Sequence, residues 1–175
     1  MVRRTLTAVL TILSMVIATV LVTAQPAAAD PDFYLIRNAG NSTCLDDFAR
    51  TRQVYQYPCN WQANQIWDWY QPNGVPENAW HIRNYESWTC LYPVNGMVSA
   101  PLRLATCNVN NRGMKWRWIH VGNSLYLIEN VATGLCVVAP LHSNAEQLTQ
   151  STCNRAYRGS LWYGQWAFAW TKKAR

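Results

Sequence analysis

Nine carboxylates, three histidines and six cysteines are the residues with chemistry to offer in this chain. The carboxylates form no pair that stands out as an acid/base couple, and no Gly-x-Ser-x-Gly or comparable nucleophile motif occurs. His81, His120 and His142 are dispersed, and the chain has neither Cys-x-x-Cys nor His-x-x-x-His spacing. No metal, cofactor or catalysis is expected. The cysteines do show a pattern, with separations of 15, 17 and 17 that recur along the chain. One polar stretch also stands apart: CNWQANQIW, Cys59 to Trp67. Two later stretches, CNVNNRGMKW and CNRAYRGSLWYGQW, keep the cysteine, asparagine and tryptophan but not the glutamine. Gln65 is therefore either scaffolding that two copies replaced or part of a site that one copy kept.

These residues must be positioned by what remains after a leader is set aside. Arg3 and Arg4 precede the largely apolar run Leu6 to Thr23, and Ala27 and Ala29 make a small-x-small cleavage site before Asp30. Residues 1–29 read as a secretory signal peptide, which leaves no membrane span once cleaved and implies a secreted, extracellular protein. Residues 30–175 have the length of one domain. An even number of cysteines behind such a leader points to disulfides in an oxidising compartment. Without Arg3 and Arg4, the 15 basic residues fall to 13 against 9 acidic ones. They are scattered apart from a basic tail at 171–175, so no stripe suited to nucleic acid emerges.

Self-comparison gives the organisation. Tyr34-Leu-Ile-Arg-Asn38, Trp80-His-Ile-Arg-Asn84 and Tyr126-Leu-Ile-Glu-Asn130 are each 46 residues apart, as are Cys44, Cys90 and Cys136. The register defines three repeats, approximately 33–78, 79–124 and 125–170. Aromatic pairs close them: Trp67/Trp69, Trp116/Trp118 and Trp166/Phe168. Runs such as Phe33-Ile36, Val54-Tyr57 and Leu125-Ile128 lie between Asn-, Gly- and Ser-rich turns, and no segment sustains a helical period. The class is all-β. Three units are too few for a propeller, but three sets of short strands close around a pseudo-threefold axis as a β-trefoil. Trp67, Trp116 and Trp166 are expected in its shared core. Symmetry favours Cys44–Cys59, Cys90–Cys107 and Cys136–Cys153, each loop contributing about 3 kcal/mol on the chain-entropy model.

The threefold period, the paired cysteines, Cys44-Leu45-Asp46 and Asn64-Gln65-Ile66-Trp67 together resemble the ricin B-type (Q-x-W) lectins, over essentially the whole of 30–175. That resemblance implies a β-trefoil whose repeats can each carry a shallow sugar site. The parts are an aspartate two residues after the first cysteine, an aromatic just before the second, and the Asn-Gln before x-Trp. Repeat one supplies Asp46, Tyr57, Asn64 and Gln65. An ionised carboxylate accepts hydrogen bonds from two vicinal hydroxyls, the amides both donate and accept, and a flat ring covers the C–H face of a pyranose. Repeat two has Tyr92, Ala105 and Met114 at the slots for Asp46, Tyr57 and Gln65. Repeat three is expected to have Val138, Ser151 and Gly164.

The expected function is a secreted, non-catalytic lectin that binds a glycan or polysaccharide through one site. The sugar is open among galactose, mannose and xylose, and useful avidity would come from self-association or a multivalent surface. The alternative is a trefoil that binds a protein partner, as a protease inhibitor or toxin cell-binding subunit does, through Arg155, Tyr157, Arg158, Trp162 and Tyr163. Further expectations concern single residues. Asp47 is solvated, Arg50 and Arg52 flank the pocket, and Trp61, Trp88 and Trp162 are candidates for exposed loop platforms. Asn41-Ser42-Thr43 is a glycosylation sequon.

Overall fold

The computed structural model describes residues 33–48, 51–71 and 78–166, with 165 and 166 as backbone only. The described residues make thirteen strands, every pairing among them antiparallel. The first third contributes β1 (Phe33–Asn38), β2 (Thr43–Phe48), β3 (Gln53–Pro58) and β4 (Ile66–Tyr70). The second contributes β5 (Trp80–Asn84), β6 (Thr89–Pro93), β7 (Leu102–Thr106) and β8 (Lys115–Gly122). The last contributes β9 (Leu125–Asn130), β10 (Cys136–Val138), β11 (Glu146–Gln147), β12 (Thr149–Ser151) and β13 (Trp162–Trp166).

Six strands close a ring in which β1 pairs with β4, β4 with β5, β5 with β8, β8 with β9, β9 with β13, and β13 with β1. The hairpins β2–β3, β6–β7 and β10–β12 cover one end. This is a β-trefoil. Closing the ring removes the exposed sheet edges that would otherwise invite association.

The core follows from alternation along those strands. Ile36, Ile82 and Ile128 meet Leu45, Leu91 and Val137 around three fully buried tryptophans. Those tryptophans are Trp67, Trp116 and Trp162, so Trp162 holds the place expected for Trp166. Each indole N–H donates to a carbonyl at the same place in its own unit: Leu45 at 3.0 Å, Leu91 at 2.9 Å and Val137 at 3.1 Å. Trp166 belongs to β13 and faces Tyr34 in register, and its side chain lies outside the described residues, as do Phe168 and Trp170. Two tryptophans lie four residues apart in Leu161-Trp-Tyr-Gly-Gln-Trp166, and spacing from Cys153 selects the first. Trp162 follows Cys153 by the same interval that separates Trp116 from Cys107.

Buried asparagines bind each unit to the one before it. Asn38 Nδ2 donates to Gly159 O, Asn84 Nδ2 to Asn64 O and Asn130 Nδ2 to Gly113 O, at 2.8–2.9 Å. Their Oδ1 atoms accept from the backbone amides of the following turn. The acceptor carbonyls belong to single-turn 3-10 helices, Ala63–Gln65, Arg112–Met114 and Arg158–Ser160. Buried backbone acceptors need such partners, and an amide side chain supplies both donor and acceptor. The disulfides Cys44–Cys59, Cys90–Cys107 and Cys136–Cys153 are all formed.

Candidate functional site

Side chains opposite each other in an antiparallel pair share a face. In the β2–β3 hairpin, Cys44 faces Tyr57, Asp46 faces Tyr55 and Phe48 faces Gln53. Asp46 therefore lies on one face with Tyr55, Tyr57 and Phe48, while Leu45 and Val54 turn to the core. The Ala63–Gln65 turn packs against this hairpin. Asn64 Nδ2 donates to Asp46 Oδ1 at 3.0 Å, and Gln65 Nε2 donates to Asp46 Oδ2 at 2.8 Å. Gln65 Nε2 also reaches Pro58 O at 3.1 Å, and its Oε1 accepts from the Asn60 amide at 2.8 Å.

The four residues singled out in the sequence thus form one cluster, with different exposures. Asp46 is 2 % exposed, Gln65 is fully buried and Asn64 is half-buried. Tyr57 is 39 % exposed. Gln65 is a brace: its three bonds fix the carboxylate of Asp46 and the loop after Cys59. Burial pushes the Asp46 carboxyl above its ordinary value, against the lowering effect of the Gln65 and Asn64 hydrogen bonds. The sequence reading missed Phe48 and Tyr55, whose rings stack at 4.6 Å, with Phe48 also 6.4 Å from Tyr57. Period-two counting from Asp46 and Tyr57 was the available signal for both.

Several expectations need correction. Asp47 is 1 % exposed, not solvated, and no hydrogen bond of good geometry reaches either carboxylate oxygen among the described residues. It falls between Asp46 and Phe48, so it points inward beside Val54, where the other units place Pro93 and Ala139. Burial raises its carboxyl, and the charge of Glu86 adds to that, against the lowering effects of Ser87 and Arg52. In repeat three the glutamine slot is held by Ser160 and not by Gly164, because Trp162 is the core tryptophan. Trp162 is fully buried and so is no loop platform, whereas Trp88 is 52 % exposed and Trp61 is half-buried. Arg50 lies outside the described residues. Arg52 is exposed, and its carbonyl accepts from the Leu104 amide. The sequon asparagine is committed to the fold, since Asn41 Nδ2 donates to Gln56 Oε1 at 2.9 Å and its Oδ1 accepts from Thr43 Oγ1 at 2.7 Å.

One group of metal-ligating residue types comes together among the described residues. His81 Nδ1 is 3.5 Å from Cys90 Sγ, with Cys107 beside it. The disulfide consumes both thiolates that a metal would need. Burial lowers the His81 pKa, so the ring stands neutral at the place where the other units carry Leu35 and Leu127.

A closed trefoil with a hairpin-borne carboxylate, amides and exposed rings defines a class of small carbohydrate-binding domains. The model of the ricin-type beta-trefoil lectin domain matches residues 32–162, and the chain belongs to that family. No curated protein matches it by sequence. Among solved structures, it is similar to the designed threefold-symmetric protein ThreeFoil at 15% identity and TM-score 0.69, over 76% of this chain and 97% of that one. An exo-beta-1,3-galactanase from Clostridium thermocellum is similar at 18% identity and TM-score 0.70, over 79% of this chain and only 31% of that one. The cytolethal distending toxin of Haemophilus ducreyi is similar at 16% identity and TM-score 0.66, over 81% of this chain and 87% of that one. At such identities these likenesses concern the fold.

Proposed function

We propose that this is a secreted, non-catalytic lectin with one sugar site, in the first repeat. The observation that carries this reading is the Asp46 carboxylate, held by Asn64 and Gln65 on the same hairpin face as the exposed ring of Tyr57. A carboxylate fixed by two amide donors keeps lone pairs for vicinal hydroxyls, and the tyrosine ring offers an apolar floor. The second and third units have no such carboxylate: Tyr92 and Val138 stand at the Asp46 position. Residues 1–29 act as the export signal and 30–175 as the lectin, whose three disulfides suit an oxidising destination. The protein-partner alternative is weakened, because Trp162, its largest anchor, is fully buried and Arg158 donates to Ala39 O at 2.7 Å.

One shallow site of this kind binds at about 0.1–1 mM, or roughly 4–5.5 kcal/mol. The test is a glycan array with dense presentation, run for the parent, Asp46→Ala and Tyr57→Ala after their melting temperatures are matched. Loss of binding in both variants is expected, and the array names the sugar. Binding that persists in both would move the site elsewhere.

A further inference from the structure

A groove of about 480 Å³ opens beside the first repeat, lined by Arg37, Ser42, Thr43, Pro58, Trp61 and, from the third repeat, Asn144 among others. None of Asp46, Tyr57, Asn64 and Gln65 lines it. The second repeat shows what is missing from this groove. Arg83 and Arg37 are equivalent, each in register with the first cysteine of its unit, Cys90 and Cys44. Arg83 is held by three groups. Asp68, directly across the strand pair, binds its guanidinium, and the Tyr70 and Trp88 rings lie 4.2 and 4.6 Å from its central carbon. Arg37 has neither the carboxylate nor the tryptophan. Tyr163 stands across the strand pair, and Ser42 takes the place of Trp88.

The turn itself is the same in both units. Ser42 has φ 63° and Trp88 has φ 54°, with Gly134 at 67° in the third. Substituting serine for tryptophan on an unchanged backbone leaves the space over the arginine open. Trp61, on the groove's other side, also has a positive φ of 61°, a conformation that a bulky residue adopts only when its surroundings impose it.

We propose that this groove is a second ligand site, for a pyranose that carries a carboxylate. Such a sugar supplies in one molecule what Arg37 lacks relative to Arg83: a ring to lie over the guanidinium and an anion to bind it. Arg37 is exposed and uses Nε for a long contact of 3.4 Å to Ser42 O. A guanidinium pairs a carboxylate through parallel N–H donors. Trp61 offers a flat face for the sugar's C–H groups, and Ser42 and Asn144 offer hydroxyl and amide partners. The proposal does not depend on the Asp46 site, and the two fail separately.

The test uses the full disulfide-bonded protein and saturation-transfer NMR. The probes are the methyl glycosides of galacturonic and glucuronic acid beside their neutral galactose and glucose counterparts. The uronides should bind about tenfold more tightly than the neutral glycosides. Arg37→Gln and Ser42→Trp should each remove that preference, the second by filling the groove as Trp88 does. The comparison is made in the Asp46→Ala background, which removes sugar binding at the first site; the preference should persist there, and added salt should weaken it. Equal binding of acidic and neutral glycosides, or a preference that survives both Arg37→Gln and Ser42→Trp, overturns the proposal. So does binding of N-acetyltryptophan without the uronides, which would assign the groove to an aromatic peptide carboxylate.

Discussion

Gln65→Met places in the first repeat the residue that the second carries as Met114, and its cost follows from three contacts. The change removes the donor to Asp46 Oδ2 at 2.8 Å, the donor to Pro58 O at 3.1 Å and the acceptor for the Asn60 amide at 2.8 Å. Gln65 is fully buried, so water cannot replace these partners. A hydrogen bond to a charged group is worth about 1.5–3 kcal/mol and a neutral one about 1 kcal/mol. Burial of the methionine thioether offsets part of the loss, which leaves a net destabilisation of about 2–4 kcal/mol. Urea denaturation with disulfides intact measures it, provided the slope is unchanged. The second repeat tolerates methionine because Tyr92 replaces the carboxylate that needs a donor. Asp46→Tyr with Gln65→Met should therefore cost less than the two single changes added together, by about 1–2 kcal/mol. Strict additivity, or a single-variant cost below about 0.5 kcal/mol, would refute the view that Gln65 exists to hold Asp46.

Trp162→Ala, Trp67→Ala and Trp116→Ala should each destabilise the protein by about 3–5 kcal/mol, because all three are fully buried around one core. Urea melts of the three variants give the comparison. Asp47 has a folded pKa raised above its unfolded value of 3.8, so its favourable contribution is complete below 3.8 and is lost as pH rises through the folded value. Asp47→Ala, the residue of Ala139 at the equivalent place, should accordingly stabilise by about 1–3 kcal/mol at pH 7. That advantage should shrink as pH falls towards 3.8, which thermal melts across pH would show. Sugar binding at Asp46 runs the other way: it needs the ionised carboxylate and should fall away at a pH above the ordinary 3.8. Binding titrations from pH 7 downward, with the carboxyl followed by carbon NMR, test this.

Much of this protein was determined by its sequence, because the fold repeats itself. The triplet Tyr34/Trp80/Tyr126 and the recurring cysteine pairs are local in register, so self-comparison gives the strands, the disulfide pairing and the trefoil. The cluster of Asp46, Asn64 and Gln65 was legible for the same reason, since two degenerate copies mark which residues leave together. Tertiary structure alone decided the rest. The spacing of Trp162 from Cys153 was already legible, but the burial of its indole and its reach to Val137 O are set by ring closure. Asp47 looks like any hairpin aspartate until alternation against Asp46 turns it inward beside Val54. The contrast between Arg83, covered by Trp88 and bound by Asp68, and Arg37, with neither, depends on which strands become neighbours. Burial and cross-strand partnership are properties of a closed barrel, and no single repeat contains the strands that impose them.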